Sequence, residues 1–164
     1  MELGPGVPTP PIELAGGATD ATAETHASRV TVSDSLAERL AATGAVVERG
    51  HDVLAESGRD WWPLAMTWAT AGRTPALASA LVRPTDAAQV SEVLAICNEE
   101  RVPVTPSAGR SGVLGGSVPL FGGVQLDLCS LAGLRSVDDE SLIVDVGAGT
   151  FGDHFETSCG NPTH

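Results

Sequence analysis

Apolar and polar positions fall into distinct regimes along the 164 residues. Up to about Val30 the chain is rich in Pro, Gly, Thr and Ala and shows no apolar period, with Pro5, Pro8, Pro10 and Pro11 close together. Residues 1–32 are therefore expected to be a disordered leader. A helical period sets in at Ser33: Leu36 and Leu40 share a face, Ser33 serves as N-cap and Gly44 as the stop. Between Val46 and Thr74 the pattern is mixed. Val46 and Val47 read as a short strand and the residues after His51 as a helix, followed by the block Arg59-Asp-Trp-Trp-Pro-Leu-Ala-Met66. Two adjacent Trp side chains cannot both face one interior, so Trp61, Trp62 and Trp68 are read as packing the leader against the following domain, with a flavin-edge or partner contact as the alternative. Residues 33–74 make a helical N-terminal extension.

From residue 75 onward the pattern is regular. Ala80-Leu-Val82 reads as a short buried strand closed by Pro84. Thr85 or Asp86 then caps a helix to about Arg101, with Val90, Val93, Leu94 and Cys97 at i, i+3, i+4 and i+7. Val102-Pro-Val-Thr105 is the next strand, completing a β-α-β unit. Gly123-Val-Gln-Leu-Asp-Leu128 gives a third strand. Leu134–Val137 and Leu142–Val146, joined by the acidic turn 138–141, predict a hairpin, and Gly147-Ala-Gly-Thr150 leads into a helix near Phe151. The fold class is α+β.

Charge and composition remove several function classes. Twenty-one acidic residues against nine basic ones argue against a nucleic-acid partner, which needs clustered Arg and Lys. All nine basic residues are Arg. Without Lys there is no Walker-type nucleotide loop, Schiff-base lysine or pyridoxal-phosphate site. Cys97, Cys129 and Cys159 are widely spaced and lack a neighbouring His at ligand spacing, so neither a metal site nor a disulfide framework is expected, and a cytoplasmic location fits. No apolar run approaches the roughly 18 residues of a membrane span.

The candidate chemistry lies in the connection between the second and third strands. Pro106, Ser107, Ala108, Gly109, Arg110, Ser111, Gly112, Val113, Gly115, Gly116 and Ser117 are its candidate residues. Four glycines let the backbone turn successive N–H groups toward one point, and Ser107, Ser111 and Ser117 add hydroxyls. The pattern is not a Rossmann fingerprint, because it leads into a strand rather than a helix. From glycine content alone the segment is either a pyrophosphate nest or a plain surface connector. The Arg110 side chain either adds charge to such a nest or points to solvent.

The ordered segments Arg83-Pro-Thr-Asp86, Arg101-Val-Pro-Val-Thr-Pro106, the glycine loop, Gly122-Gly-Val-Gln-Leu-Asp-Leu128 and Leu142-Ile-Val-Asp-Val-Gly-Ala-Gly149 resemble the FAD-binding domain of the vanillyl-alcohol oxidase and p-cresol methylhydroxylase superfamily. The resemblance spans about Pro75 to Glu156 and implies a PCMH-type FAD-binding domain over 75–164, with the loop from Pro106 to Ser117 around the FAD pyrophosphate. With Arg59-Asp-Trp-Trp-Pro63 it is nearest to bacterial relatives of alkyldihydroxyacetonephosphate synthase and of D-lactate and glycolate dehydrogenases. Members often read Pro-x-Gly-Gly-Gly-Thr-Ser here, so Ala108 and Arg110 replace two glycines. No His lies between His51 and His154, which excludes a covalent flavin link in the loop; His154 reads as a surface or packing residue.

The resemblance implies a flavoprotein oxidoreductase acting on a small hydroxy acid or related small-molecule substrate, with FAD held non-covalently. It also implies that the domain is incomplete at its C-terminus, where Gly160-Asn-Pro-Thr-His164 breaks the helix, so catalytic residues are expected downstream and none is assigned here. The alternative is a catalytically inactive remnant or small interaction module in which the loop is only a connector.

Overall fold

The computed structural model describes residues 19–21 and 28–159, the last two in backbone only. In chain order the elements are β1 (Thr19–Asp20), α1 (Asp34–Ala41), β2 (Val46–Glu48), α2 (His51–Ser57), α3 (Pro63–Thr70), β3 (Arg73–Thr74), β4 (Ala80–Arg83), α4 (Ala87–Glu99), β5 (Val104–Ser107), β6 (Val124–Asp127), β7 (Leu134–Asp138), β8 (Ile143–Val146) and α5 (Gly152–Cys159). The expected α+β architecture of a β-α-β unit plus a hairpin is present.

A four-stranded sheet in the order β2-β4-β6-β5 forms the centre, with β4, β6 and β5 parallel and β2 antiparallel to β4. Strands covered on both faces carry near-continuous apolar runs, as Ala80-Leu-Val82 and Val124-Gln-Leu126 do. Period two then sorts their side chains between two layers. Ala80, Val82, Val124 and Leu126 pack with Leu36 and Leu40 of α1 and with Val93 and Cys97 of α4. Leu81 belongs to a smaller cluster with Leu54 of α2 and Ala78. Gln125 stands in register with Leu81 on one side and Thr105 on the other, so a fully buried amide occupies the α2 side of the central strand.

Helix ends follow their caps. Leu36 N–H donates to Ser33 Oγ at 3.2 Å, and Gln89 N–H donates to Asp86 Oδ1 at 2.9 Å, which makes Asp86 the cap of α4. Leu94 departs from expectation: it is 44 % exposed, because the stripe facing the sheet runs through Val90, Val93 and Cys97. The strand expected at 102–105 instead covers Val104–Ser107 and passes through Pro106. This is possible at a sheet edge. Val124 N–H donates to Pro103 O and Leu128 N–H to Ser107 O, so the odd-numbered residues bond to β6 and Pro106 lacks an N–H only where no strand lies.

Parts of the first 32 residues are described. Thr19–Asp20 pairs in parallel with Arg73–Thr74, and Asp20 holds Arg29 at 3.0 Å. Val30 N–H donates to Phe121 O at 2.8 Å, Gly123 N–H donates to Val30 O at 2.7 Å, and Val32 is buried in the main core. The rest of the expected leader lies outside the described residues, as do residues 160–164. The hairpin forms as expected, with β7 and β8 antiparallel and an irregularity between Leu134 and Ser136. At its turn Ser141 Oγ and the N–H groups of Ser141 and Glu140 donate to Asp138, and these bonds hold the Asp138 carboxyl below the usual carboxylate range. Among the described residues no helix is long and apolar enough to cross a membrane.

Candidate functional site

The sheet delivers the glycine loop to its α2 side. Pro106 and the buried Ser107 lie within β5; Ala108, Gly109 and Arg110 are half-buried, and Ser111, Gly112 and Val113 are exposed. Gly115 and Ser117 are half-buried, and Gly116 is exposed. Two residues take left-handed backbone, Arg110 at φ 51° and Gly115 at φ 78°. Of the two positions where the resemblance expects glycine, Ala108 therefore keeps ordinary φ, whereas Arg110 adopts the conformation glycine favours.

The loop's carbonyls and amides are used unequally. Gly112 O accepts from Trp61 N–H at 2.9 Å, Gly115 O from Val118 N–H at 3.1 Å, and Ser117 O from Gln125 Nε2 at 3.1 Å. Among the described residues, no backbone N–H from Ala108 to Ser117 donates to a protein acceptor. Residues 108–110, 115 and 117 are half-buried, where donors without partners are uncommon, while 111–114 and 116 are open to water. Consecutive donors of this kind around two left-handed residues suit an anion with several oxygens, the geometry of a phosphate nest. The residues present therefore fit a pyrophosphate.

Supports for the loop come mostly from residues that the sequence pattern does not single out. The Arg110 guanidinium neither reaches into the nest nor points to solvent. It donates to the backbone carbonyl of Glu56 and, at 3.3 Å, to Glu56 Oε1. Asp60 is 1 % exposed; its Oδ1 accepts from Trp62 N–H at 3.0 Å. Its Oδ2 is buried without a hydrogen-bond partner, and a Cβ on Gly112 would lie 3.5 Å from it. A Cβ on Gly115 would meet the Trp62 ring at 3.3 Å, and one on Gly109 the Phe151 ring at 3.3 Å. Trp62 in turn stacks edge-on against Trp68, ring centroids 5.7 Å apart. Two signals were present in the sequence: a lone Gln inside the apolar run 124–126, and the Asp-Trp-Trp block.

At the far end of β6, Asp127 Oδ2 accepts from Arg83 Nε at 3.1 Å, and Asp127 Oδ1 accepts from Cys129 N–H at 3.0 Å. Burial, then the hydrogen bond and charge of Asp127, pushes the Cys129 thiol up to about 12. Thiolate is the reactive form. Iodoacetamide at about pH 8 is thus expected to leave Cys129 unlabelled in the native chain and to label it on denaturation, with peptide mass spectrometry as the readout. Labelling of the native chain at the denatured rate would contradict this environment. His154 is exposed on α5. Among the described residues no cluster of His, Cys, Asp and Glu could hold a metal ion.

Similarity to known proteins covers between 42% and 93% of this chain. D-lactate dehydrogenase of Anaerostipes hadrus is 38% identical over 69 residues, 42% of this chain and 14% of that protein. Mitochondrial D-2-hydroxyglutarate dehydrogenase of Danio rerio is 30% identical over 122 residues, 74% of this chain and 21% of that protein. Among solved structures, alkyldihydroxyacetonephosphate synthase superposes with a TM-score of 0.70 at 14% identity, covering 93% of this chain and 28% of its own. Substrate-bound p-cresol methylhydroxylase gives a TM-score of 0.61 at 23% identity over 76% of this chain and 24% of its own. These likenesses carry the PCMH-type fold, and the chain spans less than a third of each protein's length. Residues 78–160 match the family described as FAD binding domain, and the chain belongs to that family.

Proposed function

We propose that this chain forms the pyrophosphate-holding part of an FAD site, with Pro106, Ser107, Ala108, Gly109, Arg110, Ser111, Gly112, Val113, Gly115, Gly116 and Ser117 around the two phosphates. The observation that carries the reading is the run of amide donors from Ala108 to Ser117 without a protein acceptor, closed by left-handed Arg110 and Gly115. When bound, the flavin supplies a two-electron oxidant. This chain's own residues bind and orient: Gln125 anchors the loop's exit through Ser117 O, and Trp61 N–H anchors Gly112. Arg110 serves the loop through its backbone, since its charge is engaged by Glu56.

The whole protein of which this is a domain is proposed to oxidise a small 2-hydroxy acid. Relatives named for D-lactate, D-2-hydroxyglutarate and glycolate support that substrate class. No residue of this chain is assigned to proton transfer at the substrate; its assigned residues bind and orient the flavin.

The test is titration of the 164-residue chain with FAD, monitored by flavin fluorescence and by retention of yellow colour through desalting. Saturable binding that inorganic pyrophosphate competes away is the expected result. A folded chain that leaves FAD fluorescence unchanged would overturn the reading and favour a loop that is only a connector.

A further inference from the structure

We propose that Arg110 and Glu56 form a latch that positions the glycine loop, so that FAD binding by this chain depends on a residue of α2 outside the family-matched segment. The inference rests on the pyrophosphate reading above. A non-glycine residue at φ 51° is uncommon and costs more than a glycine would there. The hold on Arg110 is visible: its side chain is 13 % exposed, and its guanidinium donates to both the carbonyl oxygen and Oε1 of Glu56.

Glu56 is suited to the task for two reasons. Its carbonyl belongs to the last turn of α2, where carbonyls lack intrahelical donors and attract cations. Its carboxylate is already fixed by Arg59, which is 4 % exposed and reaches it at 2.7, 2.9 and 3.2 Å. A second tether lies farther along the same stretch of chain, where Trp61 N–H holds Gly112 O and the Trp62 ring covers Gly115. Residues 56–62 thus grip the loop at Arg110, Gly112 and Gly115, and the amides between these grips are among those that, among the described residues, have no protein acceptor. A side chain, rather than the conformational freedom of a glycine, holds this backbone shape in this chain. Lower entropy in the free loop favours binding.

The two sources of loop shape predict opposite signs for Arg110→Gly. A glycine adopts φ 51° without strain but cannot reach Glu56. The experiment compares the 164-residue chain with Arg110→Gly, Arg110→Lys and Glu56→Gln. It reads 15N order parameters of the amides 108–117 without ligand, melting temperature, and FAD affinity by fluorescence. Arg110→Gly is expected to lower loop order and weaken FAD about tenfold with little change in melting temperature, while Arg110→Lys stays within about threefold. Glu56→Gln also leaves Arg59 without its charged partner and is read by adding it to Arg110→Gly: the double variant should bind FAD no worse than the weaker single one.

Unchanged loop order in Arg110→Gly would overturn the latch, and FAD binding as tight as or tighter than that of the unaltered chain would overturn its role in positioning. If the unaltered chain binds no FAD, the proposed function fails instead. Loop order alone then decides whether the latch exists.

Discussion

Gly123→Ala is expected to leave the chain unfolded or barely folded. Gly123 has φ 66°, and a Cβ there would run into the carbonyl oxygen of Pro103 and sit 2.8 Å from the Pro103 Cγ. The same residue joins three strands: its N–H donates to Val30 O, its carbonyl accepts from Ser79 N–H and Ala80 N–H, and the next N–H, that of Val124, donates to Pro103 O. Relief of the clash therefore needs β5 and β6 to separate at the start of their ladder. Left-handed strain together with overpacking in a rigid neighbourhood costs about 4 kcal/mol, a large share of the roughly 5–15 kcal/mol that holds a domain together. Gly116→Ala is the control. Nothing lies within 4 Å of its added Cβ. A change within about 0.5 kcal/mol is expected there. Urea unfolding monitored by far-ultraviolet circular dichroism measures both, and equal midpoints for the two variants would refute the packing described around Gly123.

Legibility of the fold in the sequence depended on the reach of each signal. α1 and α4 were readable because their caps and stripes are local: Ser33 with Leu36 and Leu40, Asp86 with Val93 and Cys97. β6 was readable from three apolar positions. The boundary of β5 was misplaced because Pro106 looks like a strand stop, and its tolerance depends on β5 being the sheet edge, a fact of topology. The glycine loop itself stood out through its composition. Its supports did not, since Glu56, Asp60 and Trp62 precede it by some fifty residues and meet it only once α2 packs on Leu81. Arg110 shows the limit most plainly: the resemblance marks it as standing where glycine is common, and only the fold shows its side chain held by Glu56.

That dependence of function on backbone shape gives the second large effect. Gly115→Val is expected to weaken FAD binding by about one and a half to two orders of magnitude while leaving the fold intact. Gly115 has φ 78°, and its Cβ would press on the Trp62 ring at 3.3 Å. Unlike Gly123, it lies in a loop whose neighbours Leu114 and Gly116 are exposed, so the free variant can relax to ordinary φ without disturbing the sheet. The ligand-free chain then loses little stability, and the melting temperature should move by no more than a few degrees. Binding must restore the left-handed turn, and a β-branched residue resists it by roughly 2–3 kcal/mol, which lowers affinity by about 30- to 150-fold. This is the penalty of a binding-competent state that is seldom populated. The measurement is FAD titration of both chains together with their thermal melts. Lost affinity at constant melting temperature is the expected pair. Preserved affinity would show that the amides around Gly115 take no part in holding the phosphates, and the candidate site would then contract to the Arg110 end of the loop.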